Sequence, residues 1–127
     1  MRIFLVVILL SCCLTVSAYT ADRQLSQHKF HHPQAFKQAL KGDKDPGAKV
    51  YQKLCANCHA VKPLIPLGAP RIGVVADWTP RMTRNIQEMF TRVDQGFNTM
   101  PARGGCFECS DSELKAAIKY MLPKKKD

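Results

Sequence analysis

Cys55-Ala56-Asn57-Cys58-His59 decides how this chain is read. The stretch has the form C-x-x-C-H, the pattern that attaches haem covalently. Each residue type in it has a task. The two thiols stand on the same side of one helical turn, at the span that separates the two vinyl groups of a haem, and add across them as thioethers. The adjoining histidine then lies under the iron and supplies its first axial nitrogen.

Upstream, the chain begins as a secretory signal does. Arg2 gives the positive start, residues 3–10 form an unbroken apolar run, and Val16-Ser17-Ala18 offers the small residues of a cleavage site. Cleavage is therefore expected after Ala18. The run falls short of the ~20 apolar residues of a membrane span. Two rival readings keep the protein at the membrane: an uncleaved anchor, or lipidation at Cys12, since Leu9-Leu10-Ser11-Cys12 loosely resembles a lipoprotein cleavage box. Of the six cysteines, Cys12 and Cys13 fall in the signal, and the other four form two close pairs, Cys55 with Cys58 and Cys106 with Cys109. An even, paired set suits an oxidising compartment. The expected location is periplasmic, with membrane attachment as the variant.

The whole chain carries a formal charge of +9, and Arg2 is the sole charged residue before position 19. The mature chain of about 109 residues is then about +8 before the haem propionates are counted, and its size suits one domain. A basic surface favours acidic partner proteins or an anionic membrane face. Nucleic acid is excluded as a partner, because the chain is exported and its basic residues are scattered with no binding motif.

Periodicity and punctuation divide the mature chain. Residues 19–44 form a polar leader with His28, His31 and His32, in which Leu25, Phe30, Phe36 and Leu40 allow part of a weak amphipathic helix. The histidines have no carboxylate or cysteine at ligand spacing, so a solvated segment is the expected reading, with a metal site as the rival. A turn at residues 42–47 opens the domain, expected to span residues 45–123, with a basic tail at 124–127. Asp45 and Pro46 start a helix expected over residues 46–55. Residues 62–75 read as a loop whose apolar members Leu64, Ile65, Leu67 and Ile72 wrap a hydrophobic object, for which haem is the candidate. Asp77 or Thr79 is expected to cap a second helix carrying Met82, Ile86, Met89, Phe90 and Val93 inward until Gly96 stops it, with Arg81, Arg84 and Arg92 off that stripe. Ser110 and Glu113 form a capping box for the last helix, whose buried face is Leu114, Ala117, Ile118 and Met121. Gly47 is expected to let the leading helix approach Tyr120 or its neighbours. No strand pattern or internal repeat occurs. The fold class is all-α, and a core this small needs the haem as its centre.

The second axial ligand is sought among the methionines. Met82, Met89 and Met121 occupy helical apolar stripes and read as core. Met100 lies outside any helix, in Gly96-Phe97-Asn98-Thr99-Met100-Pro101, where a loop can aim its thioether at the iron. A gap-filling methionine is the competing reading, and the leader histidines are the alternative ligands. With both axial positions filled, outer-sphere electron transfer is favoured over oxygen or substrate chemistry. An open iron site would instead suit a haem peroxidase-like or ligand-binding protein.

Cys106-Phe107-Glu108-Cys109 is followed by Ser110, so it is not a second haem motif. A local disulfide, a thiol–disulfide oxidoreductase motif and half of a zinc site compete. No thioredoxin-like pattern surrounds the pair, and no further zinc ligands are found.

Taken together, these segments resemble a class I bacterial c-type cytochrome, and most closely the cytochrome c5 family. The resemblance is carried by Cys55-Ala56-Asn57-Cys58-His59, by Gly68-Ala69-Pro70-Arg71-Ile72-Gly73, by Trp78, and above all by Gly96-Phe97-Asn98-Thr99-Met100-Pro101-Ala102-Arg103-Gly104-Gly105 followed by Cys106 and Cys109. It covers residues 45–122. It implies the small class I fold with helices wrapped around one covalent haem c on Cys55 and Cys58. It also implies iron ligation by His59 and Met100, a Cys106–Cys109 disulfide, and a Pro70 carbonyl that accepts from the second ring nitrogen of His59. Arg71 and Trp78 become candidates for the propionates. The implied role is a non-enzymatic electron carrier of a respiratory chain, serving a terminal oxidase, a peroxidase or a reductase complex.

Overall fold

Proline and aspartate punctuate the helices of this molecule, a computed structural model that describes residues 32–124. The signal segment, Cys12, His28 and His31 lie outside the described residues. Helix α1 (Pro33–Leu40) places Phe36 and Leu40 in the main core, so the second half of the polar leader packs with the domain. Lys49 ties the turn after α1 to the next helix, bonding the Ala39 carbonyl at 3.0 Å and pairing with Asp43.

Helix α2 (Pro46–Val50) starts as its sequence dictates. Asp45 accepts from the Ala48 N–H at 2.9 Å, and Pro46 supplies a pre-set φ where no N–H is needed. The helical path then continues further than expected. A π-helical turn (Tyr51–Cys55) leads directly into α3 (Ala56–His59). The Ala56 N–H reaches back to the Tyr51 carbonyl, a five-residue step that widens the helix and resets its face. Val50 and Tyr51 are buried, and the wide turn leads into the haem motif.

The second long helix is shorter than its stripe suggested. Residues 75–95 split into α4 (Val75–Trp78) and α5 (Ile86–Gln95). Asn85, not Asp77 or Thr79, caps α5 by accepting from the Glu88 N–H at 2.9 Å. Asp77 is unavailable as a cap because its carboxylate holds the Arg71 guanidinium at 2.7 and 3.1 Å. Met82 therefore lies on a turn and is 46% exposed, not core.

Helix α6 (Asp111–Met121) carries the expected capping box, Ser110 with Glu113, and buries Leu114, Ala117, Ile118 and Met121. It crosses α2 at Gly47, where an added Cβ would lie 2.6 Å from the Ala116 carbonyl carbon and oxygen. The close approach is thus to the α6 backbone. Tyr120 instead pairs with Tyr51, ring centroids 5.4 Å apart. Phe36, Val50, Phe90, Leu114 and Ile118 form the principal core. A second cluster, of Tyr51, Trp78 and Met121, shares Cys55 and Met89 with the first at its edge. Among the described residues there is no strand, only a bridge between Phe97 and Met100. The fold is all-α, and among those residues no helix is long and apolar enough to cross a membrane.

Candidate haem site

The helical run ending in α3 brings Cys55, Cys58 and His59 to the wall of one largely apolar cavity of about 590 Å³. That volume lies within the ordinary range for cofactor pockets. Met100 lines the same cavity from the loop after α5, and Ile118 and Met121 line it from α6. Residues far apart in the chain thus meet around one space.

His59 is buried, and its Nδ1 lies 2.8 Å from the Pro70 carbonyl oxygen. A carbonyl only accepts, so Nδ1 carries the proton and donates. The tautomer is thereby fixed, and Nε2 keeps the lone pair an iron needs. The Pro70 segment is itself pinned. The Ile72 N–H donates to the His59 carbonyl at 2.8 Å, and the Gly73 N–H to the Met121 carbonyl at 3.0 Å.

Neither Cys55 nor Cys58 is in a disulfide. Burial pushes the Cys55 thiol up to about 11, and a charge on Cys58 pushes in the same direction. A nucleophilic or metal-binding cysteine needs the opposite shift, toward thiolate. An imidazole with Nε2 available, a thioether side chain, two thiols at C-x-x-C spacing and an apolar wall fit a covalently held haem. Among the described residues no group of His, Cys, Asp and Glu could hold a bare metal ion.

Trp78 is buried and lines the cavity, but its indole N–H donates to the Arg71 carbonyl at 2.8 Å. Arg71 does not line the cavity, and its guanidinium is held by Asp77. That ion pair pulls the Asp77 carboxyl down to about 2, with the Arg71 N–H adding to the effect. Both of these side chains thus bond within the Pro70 segment, which together they brace. The cations that do line the cavity are Arg81, Arg84 and Arg92. The off-stripe reading hides them, because residues 81 and 84 precede the helix on which that stripe is drawn. Pro80-Arg81 and Arg84, two cations beside a proline ahead of the helix that Asn85 caps, are the available signal.

The Met100 loop closes on itself. Phe97 and Met100 exchange backbone hydrogen bonds at 3.1 and 2.9 Å. Gly96 makes this turn feasible: its φ is +83°, and a Cβ there would lie 2.9 Å from the Met100 carbonyl oxygen. Further on, Cys106 and Cys109 form a disulfide with both residues buried, as the local-disulfide reading expects and as a structural bridge requires.

A family model described as cytochrome C oxidase, cbb3-type, subunit III matches residues 42–121. The chain is 38% identical over 77 residues to cytochrome c5 of Azotobacter vinelandii, covering 59% of this chain and 89% of that protein. It is 36% identical to cytochrome c5 of Ectopseudomonas mendocina, covering 57% and 82%.

The chain is a class I c-type cytochrome of the cytochrome c5 family.

Cytochrome c-555 of Chlorobaculum tepidum is a further relative, 30% identical over 66% of this chain and 79% of its own. Among solved structures, a chain from an electron transfer complex of nitrite reductase with cytochrome c superposes with a TM-score of 0.55 at 32% identity, covering 62% of this cytochrome and 91% of that chain. Membership of the family makes the cofactor haem c and the general role electron carriage.

Proposed function

We propose that this c5-type cytochrome is a periplasmic one-electron carrier of a respiratory chain and not an enzyme, released by cleavage after Ala18. When bound, haem c supplies a ferric–ferrous couple at a potential raised by neutral imidazole and thioether ligands. Cys55 and Cys58 fix the ring. His59 offers Nε2, held in register and made more basic by donation from Nδ1 to Pro70. Met100, which lines the same cavity, would supply a second ligand through its thioether. Met89, Val93, Ile118 and Met121 give the cavity its apolar wall, and Arg81 and Arg84, which also line it, would be the cations available to propionates.

The observation that carries this reading is that Met100 and His59, with its Nδ1 already committed, line one apolar cavity. A fully ligated iron does not invite peroxide or small ligands, so the carrier is favoured over a peroxidase-like protein. The basic chain, +9 before processing, suits an acidic redox partner. The family description that names an oxidase subunit and the neighbour found with nitrite reductase both support a terminal oxidase or a reductase as that partner.

The test is electron transfer from the reduced, haem-loaded protein to a purified terminal oxidase or nitrite reductase over a range of ionic strength. Fast oxidation that slows as salt rises is expected. Slow, salt-independent oxidation accompanied by peroxide turnover would contradict the proposal.

A further inference from the structure

A ligand carried on a loop is held only as firmly as the loop is. Before Met100 the chain is fixed by the Phe97–Met100 turn, with Asn98 at φ +53°. After Met100 it enters a 3₁₀ turn (Ala102–Gly105) in which Arg103 has φ +56° and ψ +18°. That is left-handed backbone, which L residues other than Asn and Asp rarely occupy. The neighbouring residues Gly104 and Gly105 share it without penalty. An arginine in that position needs its side chain to hold it there.

The side chain does so three ways. Nη1 of Arg103 pairs with Asp94 in the last turn of α5. Nη2 donates to the Cys109 carbonyl at 2.8 Å and to Asp111 at the start of α6 at 3.0 Å. The Arg103 side chain is 21% exposed, so these bonds are partly shielded from solvent. One guanidinium thus joins the Met100 loop to α5, to the disulfide turn and to α6. The link to the ligand is short. The Gly104 N–H donates to the Pro101 carbonyl at 3.0 Å, and a Cβ on Gly104 would lie 3.7 Å from Met100 Cε.

We propose that Arg103 is the positioning residue of the distal ligand, its three-way clamp holding the Met100 thioether over the iron. The proposal rests on reading Met100 as the second axial ligand. A thioether is a weak neutral ligand, so its persistence depends on how narrowly the loop confines it. With the clamp loosened, the unligated state is more populated, and an added ligand binds more tightly in proportion. A lysine keeps the charge but cannot present a planar fork to several acceptors.

The experiment titrates imidazole into ferric, haem-loaded protein and measures urea unfolding of the same samples. The variants are Arg103→Gln, Arg103→Lys, the double variant Asp94→Asn/Asp111→Asn, and Met100→Ala. Arg103→Gln is expected to bind imidazole at least about tenfold more tightly, with Arg103→Lys between it and the unmodified protein and Met100→Ala as the upper bound. The double aspartate variant leaves Arg103 in place and is expected to shift in the same direction, so it carries the test if Arg103→Gln fails to fold. Imidazole affinity unchanged in the Arg103 and aspartate variants, whether or not urea unfolding shifts, would overturn the proposal. Unchanged affinity in Met100→Ala would instead show that the ligand reading itself is wrong.

Discussion

Gly47 of α2 meets Ala116 of α6 so closely that one added carbon would stand 2.6 Å from the Ala116 carbonyl carbon and oxygen. The obstacle is backbone, which cannot swing aside as a side chain can. Gly47→Ala must therefore push the two helices apart and disturb the cluster of Val50, Leu114 and Ile118 around their crossing. The expected loss is about 3 kcal/mol of unfolding free energy. Urea denaturation of the haem-loaded protein checks it. A loss below about 1 kcal/mol would mean that the helices separate freely.

The brace beside the His59 segment gives a second prediction. Trp78 donates its indole N–H to the Arg71 carbonyl at 2.8 Å. Trp78→Phe keeps an aromatic ring at the cavity wall but removes one of that carbonyl's two donors, leaving only the Val74 N–H at 3.2 Å, at an expected cost of about 1 kcal/mol. Because the adjoining Pro70 carbonyl fixes the His59 tautomer, the reduction potential is expected to shift as well. Voltammetry and denaturation of the same variant separate the two effects.

The same brace sets an acid limit. The Asp77 carboxyl titrates at about 2 in the folded chain against an ordinary value of 3.8, chiefly because it bonds the Arg71 side chain. A lowered folded value stabilises the protein fully above the unfolded value, and the gain is lost as pH falls toward the folded one. Asp77→Asn should therefore be less stable than the unmodified protein above about pH 4, and the gap should close between about pH 4 and pH 2. Urea midpoints measured across that window test it, and a gap that widened toward acid would contradict the assignment.

Cys106 and Cys109 bridge a short loop with both residues buried. Chain entropy assigns such a loop about 2 kcal/mol. Cys106→Ala/Cys109→Ala is expected to lose about that much. In the native protein the buried bridge should resist mild reductant, so alkylation followed by mass spectrometry should find no added mass until denaturant is present. Labelling of the native protein would mark the pair as exchange-active.

What the sequence makes legible depends on the range of the interactions. The caps by Asp45 and Ser110, the buried face of α6 and the haem motif are local, written in residues within a turn of one another, and the structure bears out those helices. Spacing misplaces the start of α5 because Asp77 is a good cap by type, and only its pairing with Arg71, six residues back, removes it. Gly47 reads correctly as a close-approach residue, but its partner does not, since the register of two crossing helices is fixed by the whole core. Helical spacing assigns Arg81 and Arg84 to an outer face that does not exist at those positions. The π turn before Cys55 leaves no mark in periodicity, because a single wide turn displaces the pattern by only one residue.

The central claim is that His59 and Met100 together ligate a haem held by Cys55 and Cys58. The most direct measurement is the visible spectrum of the haem-loaded protein, ferric and ferrous, beside that of Met100→Ala. Sharp low-spin ferrous bands, with a weak long-wavelength sulfur-to-iron band in the ferric protein that disappears in Met100→Ala, are the predicted result. A high-spin ferric spectrum that Met100→Ala leaves unchanged would contradict the account and place an open coordination site on the iron.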